Sequence, residues 1–169
     1  MKQLFTIANK AKHSSFYLWL LNVVLWRVIP FNRVHKVTIE SLSDTQVSIL
    51  LPYKKSNQNH LKGMHACALA TLCEYACGIG LMTTLDPKQY RIILKDIKLS
   101  YHAQAKSDVR ASFEITPSRL EQEILLPLQQ TGLTTQTYTV QAFDTNKKLM
   151  CTGEVTWQLK RWDKVRFAN

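Results

Sequence analysis

Between Met64 and Leu85 the chain runs for 22 residues with a single charged side chain, Glu74. The stretch HACALATLCEYACGIGLMTT places apolar or small residues on nearly every face of an α-helix. A helix of that kind has no side to give to water and must be covered by the rest of the chain. An ionised carboxylate inside it is costly unless paired, and the cost is relieved by a raised pKa. Glu74 is therefore either held by a structural partner or kept for chemistry.

The flanking segments supply a cover. His35 to Leu42 and Thr45 to Leu51 read as two strands joined at Ser43-Asp44. A polar loop, PYKKSNQNHLKG, then leads into the apolar helix. Arg91 to Tyr101 is strand-like with a phase shift near Asp96, as a bulge requires. Val109 to Ile115 alternates cleanly. Thr116-Pro117-Ser118 opens a short helix, with Ser118 and Glu121 spaced as a capping box and Gly132 as its stop. Two long strands close the chain, Thr134 to Phe143 and Leu149 to Lys160. Strands joined by short turns form an antiparallel sheet, and a helix apolar all round requires that sheet to curve about it. The expected architecture is a single α+β domain: a long central helix wrapped by about six antiparallel strands, with an extra N-terminal helix.

That N-terminal segment, FYLWLLNVVLWRVIPF, is strongly hydrophobic and is expected to be one helix ended by Pro30. Asn22 and Arg27 interrupt it, so it falls short of the roughly 20 apolar residues a spanning helix needs. No small-residue cleavage site follows, which argues against a signal peptide. The first 39 residues contain no acid, and Lys2, Lys10, Lys12, Arg27 and Arg33 are basic. Two readings fit: an amphipathic helix packed on the domain, or peripheral contact with a membrane surface. The organisation read from sequence is thus residues 1–30 as an amphipathic extension, 31–160 as the domain and 161–169 as a tail.

A net charge of +10 favours anionic partners, but a nucleic-acid interface would need a basic stripe interleaved with aromatics on a known module, and none is evident. Three of the four cysteines, Cys67, Cys73 and Cys77, lie on the apolar helix, where they read as small core residues rather than a disulfide framework. A reducing, cytoplasmic setting follows. His65, Cys67, Cys73 and Cys77 do not have zinc-ligand spacing, so no metal or other cofactor is expected.

The residues before the helix carry the functional signal. Asn59 is followed six positions later by His65, and nine positions beyond that stands Glu74. This register resembles the hotdog-fold thioesterases of the phenylacetate-pathway and YbdB-like branches, which carry an asparagine or glutamine, a histidine opening the central helix, and an acid at the same intervals. Two glycines usually follow that histidine; here Ala66 and Cys67 stand in their place. The stretch NHLKGMHACALATLCEYACGIGL is more similar to a poorly characterised hotdog branch with the pattern N-H-L-x-x-x-H-A-x-A-L-x-x-L-x-E. IKLSYHAQAKSDVRASFEI and FDTNKKLMCTGEVTWQLKRW resemble later strands of that superfamily, so the resemblance spans about residues 30 to 160.

The resemblance implies an acyl-CoA thioesterase. Glu74 would be general base or nucleophile, the Ala66 amide would polarise the thioester carbonyl, Asn59 would position carbonyl or water, and His65 would hold the helix start. His60, Gly63, Cys67, Tyr101 and His102 are the neighbouring candidates for substrate contact. Expected partners are an acyl-CoA or acyl carrier protein thioester and further copies of the chain, as homodimer or homotetramer. Geometry independently asks for two chains: nine residues of helix make about two and a half turns, a net offset of half a turn with about 13.5 Å of rise, so His65 and Glu74 cannot share a substrate within one subunit. The alternative is a hotdog protein that binds acyl thioesters or fatty acyl chains without turnover. A hotdog dehydratase ranks below both, because the histidine-proline-glycine arrangement of such enzymes is missing.

Overall fold

The helix expected from the apolar run forms over Ala66–Thr84 (α4), 19 residues long, in a computed structural model that describes residues 2–165, the side chain of Lys2 excepted. Met1 and residues 166–169, the last four of the nine residues of the expected tail, lie outside the described residues. Six strands surround α4: β1 (Thr38–Leu42), β2 (Gln46–Leu51), β3 (Tyr90–Tyr101), β4 (Val109–Glu114), β5 (Leu133–Asp144) and β6 (Leu149–Arg161). They form one antiparallel sheet in the order β1-β2-β4-β5-β6-β3. The strands alternate so that Val47, Ile49, Leu51, Val109, Ala111, Val140, Ala142, Val155 and Leu159 point inward and are essentially inaccessible. α4 packs against β2, β3, β4, β5 and β6 and buries Leu69, Leu72, Cys73, Cys77 and Leu81 among them. The bulge expected near Asp96 sits between Leu94 and Asp96 in the β3–β6 pairing.

Two glycines let the sheet close on α4. A Cβ at Gly78 would sit 3.0 Å from the Trp157 ring, and one at Gly80 would run into the Phe113 ring. Phe113 is itself wedged edge-on against Tyr138, 5.2 Å between centroids, so it has little room to move. Gly80→Ala gains about 1 kcal/mol of helix preference but overpacks this contact, which costs about 1–3 kcal/mol. We expect a net loss of stability, read as a lower urea midpoint at an unchanged slope.

The N-terminal region departs from expectation. In place of one helix there are three: α1 (Lys2–Ala11), α2 (Ser15–Val28) and α3 (Pro30–His35). Pro30 does not merely end α2; it sits in the first turn of α3, where its missing N–H costs nothing. Because α3 extends through His35, the first strand begins at Thr38 rather than His35. Asn22, which breaks the hydrophobic run, explains how α2 is held. Its Nδ2 donates to Ile39 O at 2.9 Å and its Oδ1 accepts from Ile39 N at 2.8 Å. The buried amide thus pairs with the free edge of β1 as a neighbouring strand would. Trp26 Nε1 adds a bond to Val37 O at 2.7 Å.

The inserted helix also differs in detail. It opens as α5 (Pro117–Arg119), widens into a π-helical stretch over Leu120–Leu125 and closes as α6 (Leu126–Thr131). Its cap is Thr116, whose Oγ1 accepts from Arg119 N, and not the expected Ser118–Glu121 box. Pro117 at the first helical position puts the cap at Thr116, two residues earlier than expected. Gly132 ends the helix at φ 77°, as expected of a C-terminal glycine.

Candidate active site at the start of the central helix

His65 is the N-cap of α4. Its backbone is extended (φ −67°, ψ 137°), and its Nδ1 accepts from Cys67 N at 3.1 Å. The His65 carbonyl takes Ala68 N at 3.0 Å and Leu69 N at 3.2 Å. Between them these acceptors satisfy every N–H of the first turn except one. The Ala66 N–H has no acceptor among the described residues, and Ala66 is exposed. An unpaired amide at the positive end of a 19-residue helix is a ready hydrogen-bond donor to an oxygen that gains negative charge.

The loop before the helix is held from within. Asn59 Oδ1 accepts from Leu61 N at 2.9 Å and Gly63 N at 3.1 Å, and Asn59 N donates to Gly63 O at 2.8 Å. The Asn59 oxygen is therefore spent on the turn, while its Nδ2 has no partner among the described residues. Gly63 is buried against Gln104, and Tyr53 OH donates to Lys62 O. Tyr101, at the end of β3, donates its OH to Ala66 O at 3.1 Å and so ties the strand to the helix start. His102 turns aside to Thr152 Oγ1 at 3.0 Å, and His60 is exposed at the loop tip.

Asn57 is the residue that sequence reasoning missed. Fully buried, it donates Nδ2 to His35 O at 2.9 Å and Pro52 O at 2.8 Å, and its Oδ1 meets His35 Nδ1 at 2.9 Å. Its own carbonyl accepts His65 N at 2.7 Å. One residue, through side chain and backbone, thereby joins α3, the loop and the helix start. The only sequence signal was a second asparagine two positions before Asn59. With His35 and Phe31 from α3, the residues Ser56, Gln58, His65, Cys67 and Ala68 line a mostly apolar cleft of about 280 Å³.

Glu74 stands apart from this cleft. It is half-buried on an unbroken stretch of α4, with Gly78 and the Trp157 ring beside its carboxyl. No hydrogen bond or ion pair reaches it among the described residues. Burial alone pushes its pKa from 4.5 up to about 7. The hydroxyl of Tyr75 and the thiol of Cys77 are pushed higher by burial and by the nearby carboxyl, so neither ionises ahead of it. Within one chain the structure brings His65, Ala66, Cys67 and Tyr101 together and leaves Glu74 about two and a half helical turns further along α4.

A carboxyl whose pKa is higher in the folded than in the unfolded chain favours the folded state while protonated. That contribution is complete below pH 4.5 and is lost as the pH rises towards 7. For a shift of this size the loss is on the order of 3 kcal/mol. Urea unfolding across that window should therefore show a falling stability that Glu74→Gln lacks, with the variant the more stable above neutrality. Parallel profiles for the two proteins would exclude a strained carboxyl.

The sequence matches the family model described as "Domain of unknown function (DUF4442)" over residues 18–159. The chain belongs to the DUF4442 family. No curated protein matches its sequence. Among solved structures, this DUF4442 chain is similar to a protein of unknown function from Pseudomonas aeruginosa described as a probable thioesterase. The two share 24% identity and a TM-score of 0.78 over 84% of this chain and 94% of that one. A variant of another Pseudomonas aeruginosa thioesterase matches at 15% identity and TM-score 0.69, covering 89% and 99% of the two chains. A Staphylococcus aureus thioesterase variant matches at 17% and 0.63, covering 78% and 98%. At these identities the likeness establishes the fold: the DUF4442 domain is a hotdog.

Proposed function

We propose that the protein hydrolyses acyl thioesters, with acyl-CoA or an acyl carrier protein thioester as substrate, in a site shared between two copies of the chain. The observation that carries this reading is the unpaired Ala66 N–H at the helix start, combined with an unpaired carboxyl of near-neutral pKa on the same helix. The carbonyl oxygen of a thioester is received by the Ala66 amide. Glu74 of the other copy removes a proton from water, the hydroxide oxygen adds to the carbonyl carbon, and negative charge collects on the oxygen at Ala66. The C–S bond then breaks, and the thiolate leaves with the proton that Glu74 had taken. Direct attack by the carboxylate, through an anhydride that water later opens, uses the same groups.

Two further observations support this. β3 is a 12-residue edge strand paired, among the described residues, with β6 alone, and it exposes Ile93 and Leu94. Such an edge is a template for pairing with another chain. In two structurally similar Staphylococcus aureus variants, the residues replaced by alanine are a glutamine and a glutamate at positions 32 and 47, fifteen apart, the spacing of Asn59 and Glu74 here. Within the hotdog superfamily, the N-H-L-x-x-x-H-A pattern places the chain nearest the poorly characterised branch, and a cytoplasmic setting goes with this reading.

Binding without turnover is the second reading, favoured by the Cys67 side chain in the cleft, where the resembling enzymes have glycine. Thiol release from a panel of acyl-CoAs of increasing chain length separates the two. Light scattering of the active fraction should give at least a dimer; turnover by a strict monomer would overturn the shared site.

A further inference from the structure

The N-terminal helices leave several large apolar side chains uncovered. Phe16, Trp19, Val28, Phe31 and Val34 are 57–62% exposed, although each is a residue that normally seeks cover. On α2, Phe16, Trp19, Leu20, Val23 and Arg27 fall within an arc of about 100°. The buried residues Leu21 and Leu25 lie on the far side. The rings of Phe16 and Trp19 lie against each other on this outer arc, 6.0 Å between centroids. α3 follows directly and exposes Phe31 and Val34 as well. A group of exposed apolar side chains of this kind on a folded domain marks an interaction site.

We propose that this face docks on an anionic lipid bilayer. Charge selects the occupant. No acid occurs in the first 39 residues, and Arg27 and Arg33, exposed at the patch, have no ion pair among the described residues. Lys36, just after α3, lies over the Trp26 ring at 4.3 Å, and Lys10 of α1 over Tyr17 at 4.9 Å, adding two cations braced by aromatics of α2. A second copy seated face to face would bring arginines against arginines with no acid between them. A bilayer rich in acidic headgroups instead offers the opposite charge, and its interface suits tryptophan and phenylalanine. At 14 residues α2 is too short to span, and Asn22 bonded to Ile39 holds its inner side on the sheet, so it lies on the surface. Phe31 belongs both to this patch and to the cleft beside His65, so docking turns the cleft towards the headgroups.

The test is co-sedimentation of the 169-residue chain with vesicles of phosphatidylcholine alone or mixed with phosphatidylglycerol. The chain should partition onto mixed vesicles at least about tenfold better, less so as salt is raised. Arg27→Gln and Arg33→Gln should each lower partition about fivefold. The double variant Phe16→Glu/Trp19→Glu should abolish it while leaving circular dichroism and turnover of a short, soluble acyl-CoA unchanged. Wild-type chain that stays in the supernatant with both vesicle types overturns the proposal. So does a double variant that still sediments, or one whose only change is a smaller oligomer, since a second copy would then be the occupant.

Discussion

Glu74→Gln is expected to lower thioester hydrolysis by about two to four orders of magnitude, the usual worth of a positioned general base, without loss of fold. The substitution keeps the volume and removes the charge, in a place where the carboxyl has no partner to orphan. It should therefore raise stability at neutral pH while removing turnover, because burial pushes the Glu74 pKa to about 7 in the folded chain. A structural carboxylate would behave in the opposite sense: its loss would destabilise and leave turnover intact. Measuring kcat/KM and the urea midpoint on the same preparation distinguishes the two. Unchanged turnover would end the assignment of Glu74 as base or nucleophile.

Ala66→Pro removes one N–H and little else. The position is the first of α4, where proline is favoured, and the extended backbone of His65 is the conformation a residue before proline adopts. The lost donor has no intramolecular acceptor, so stability should hold. Turnover should fall by about 10²–10³, the worth of one oxyanion donor. Mixing this variant with Glu74→Gln then reports on the shared site. A mixed dimer has one pair of Ala66 and Glu74 intact if the two come from different subunits, and none if they come from the same one. Recovered activity on mixing the two inactive proteins is the expected result; none after verified subunit exchange would place both groups in one chain.

Much of the architecture was legible in periodicity. A 22-residue run with one charge demanded a covered helix, and alternating segments with short turns demanded an antiparallel sheet around it. The bulge beside Asp96 and the stop at Gly132 follow from local phase and local backbone freedom. The N-terminal helices were less legible, because Asn22 looks like an interruption until Ile39, 17 residues away, supplies both halves of its amide pairing. The Thr116 cap was missed for a local reason, the preference of Pro117 for the first helical turn.

Sequence by itself determined that α4 is buried, that Glu74 is the one charge upon it, and that about two and a half helical turns separate that charge from the helix start. These depend only on residue order and helix geometry. Tertiary structure alone decided what holds the helix start, where the resemblance had already pointed to the Ala66 amide. His65 caps Cys67, its carbonyl takes the next two N–H groups, and Asn57 fixes its own backbone through a bond to α3. Hydrogen bonds between segments distant in the chain leave no periodic trace, and here they tie α3 to the loop before α4 through Asn57.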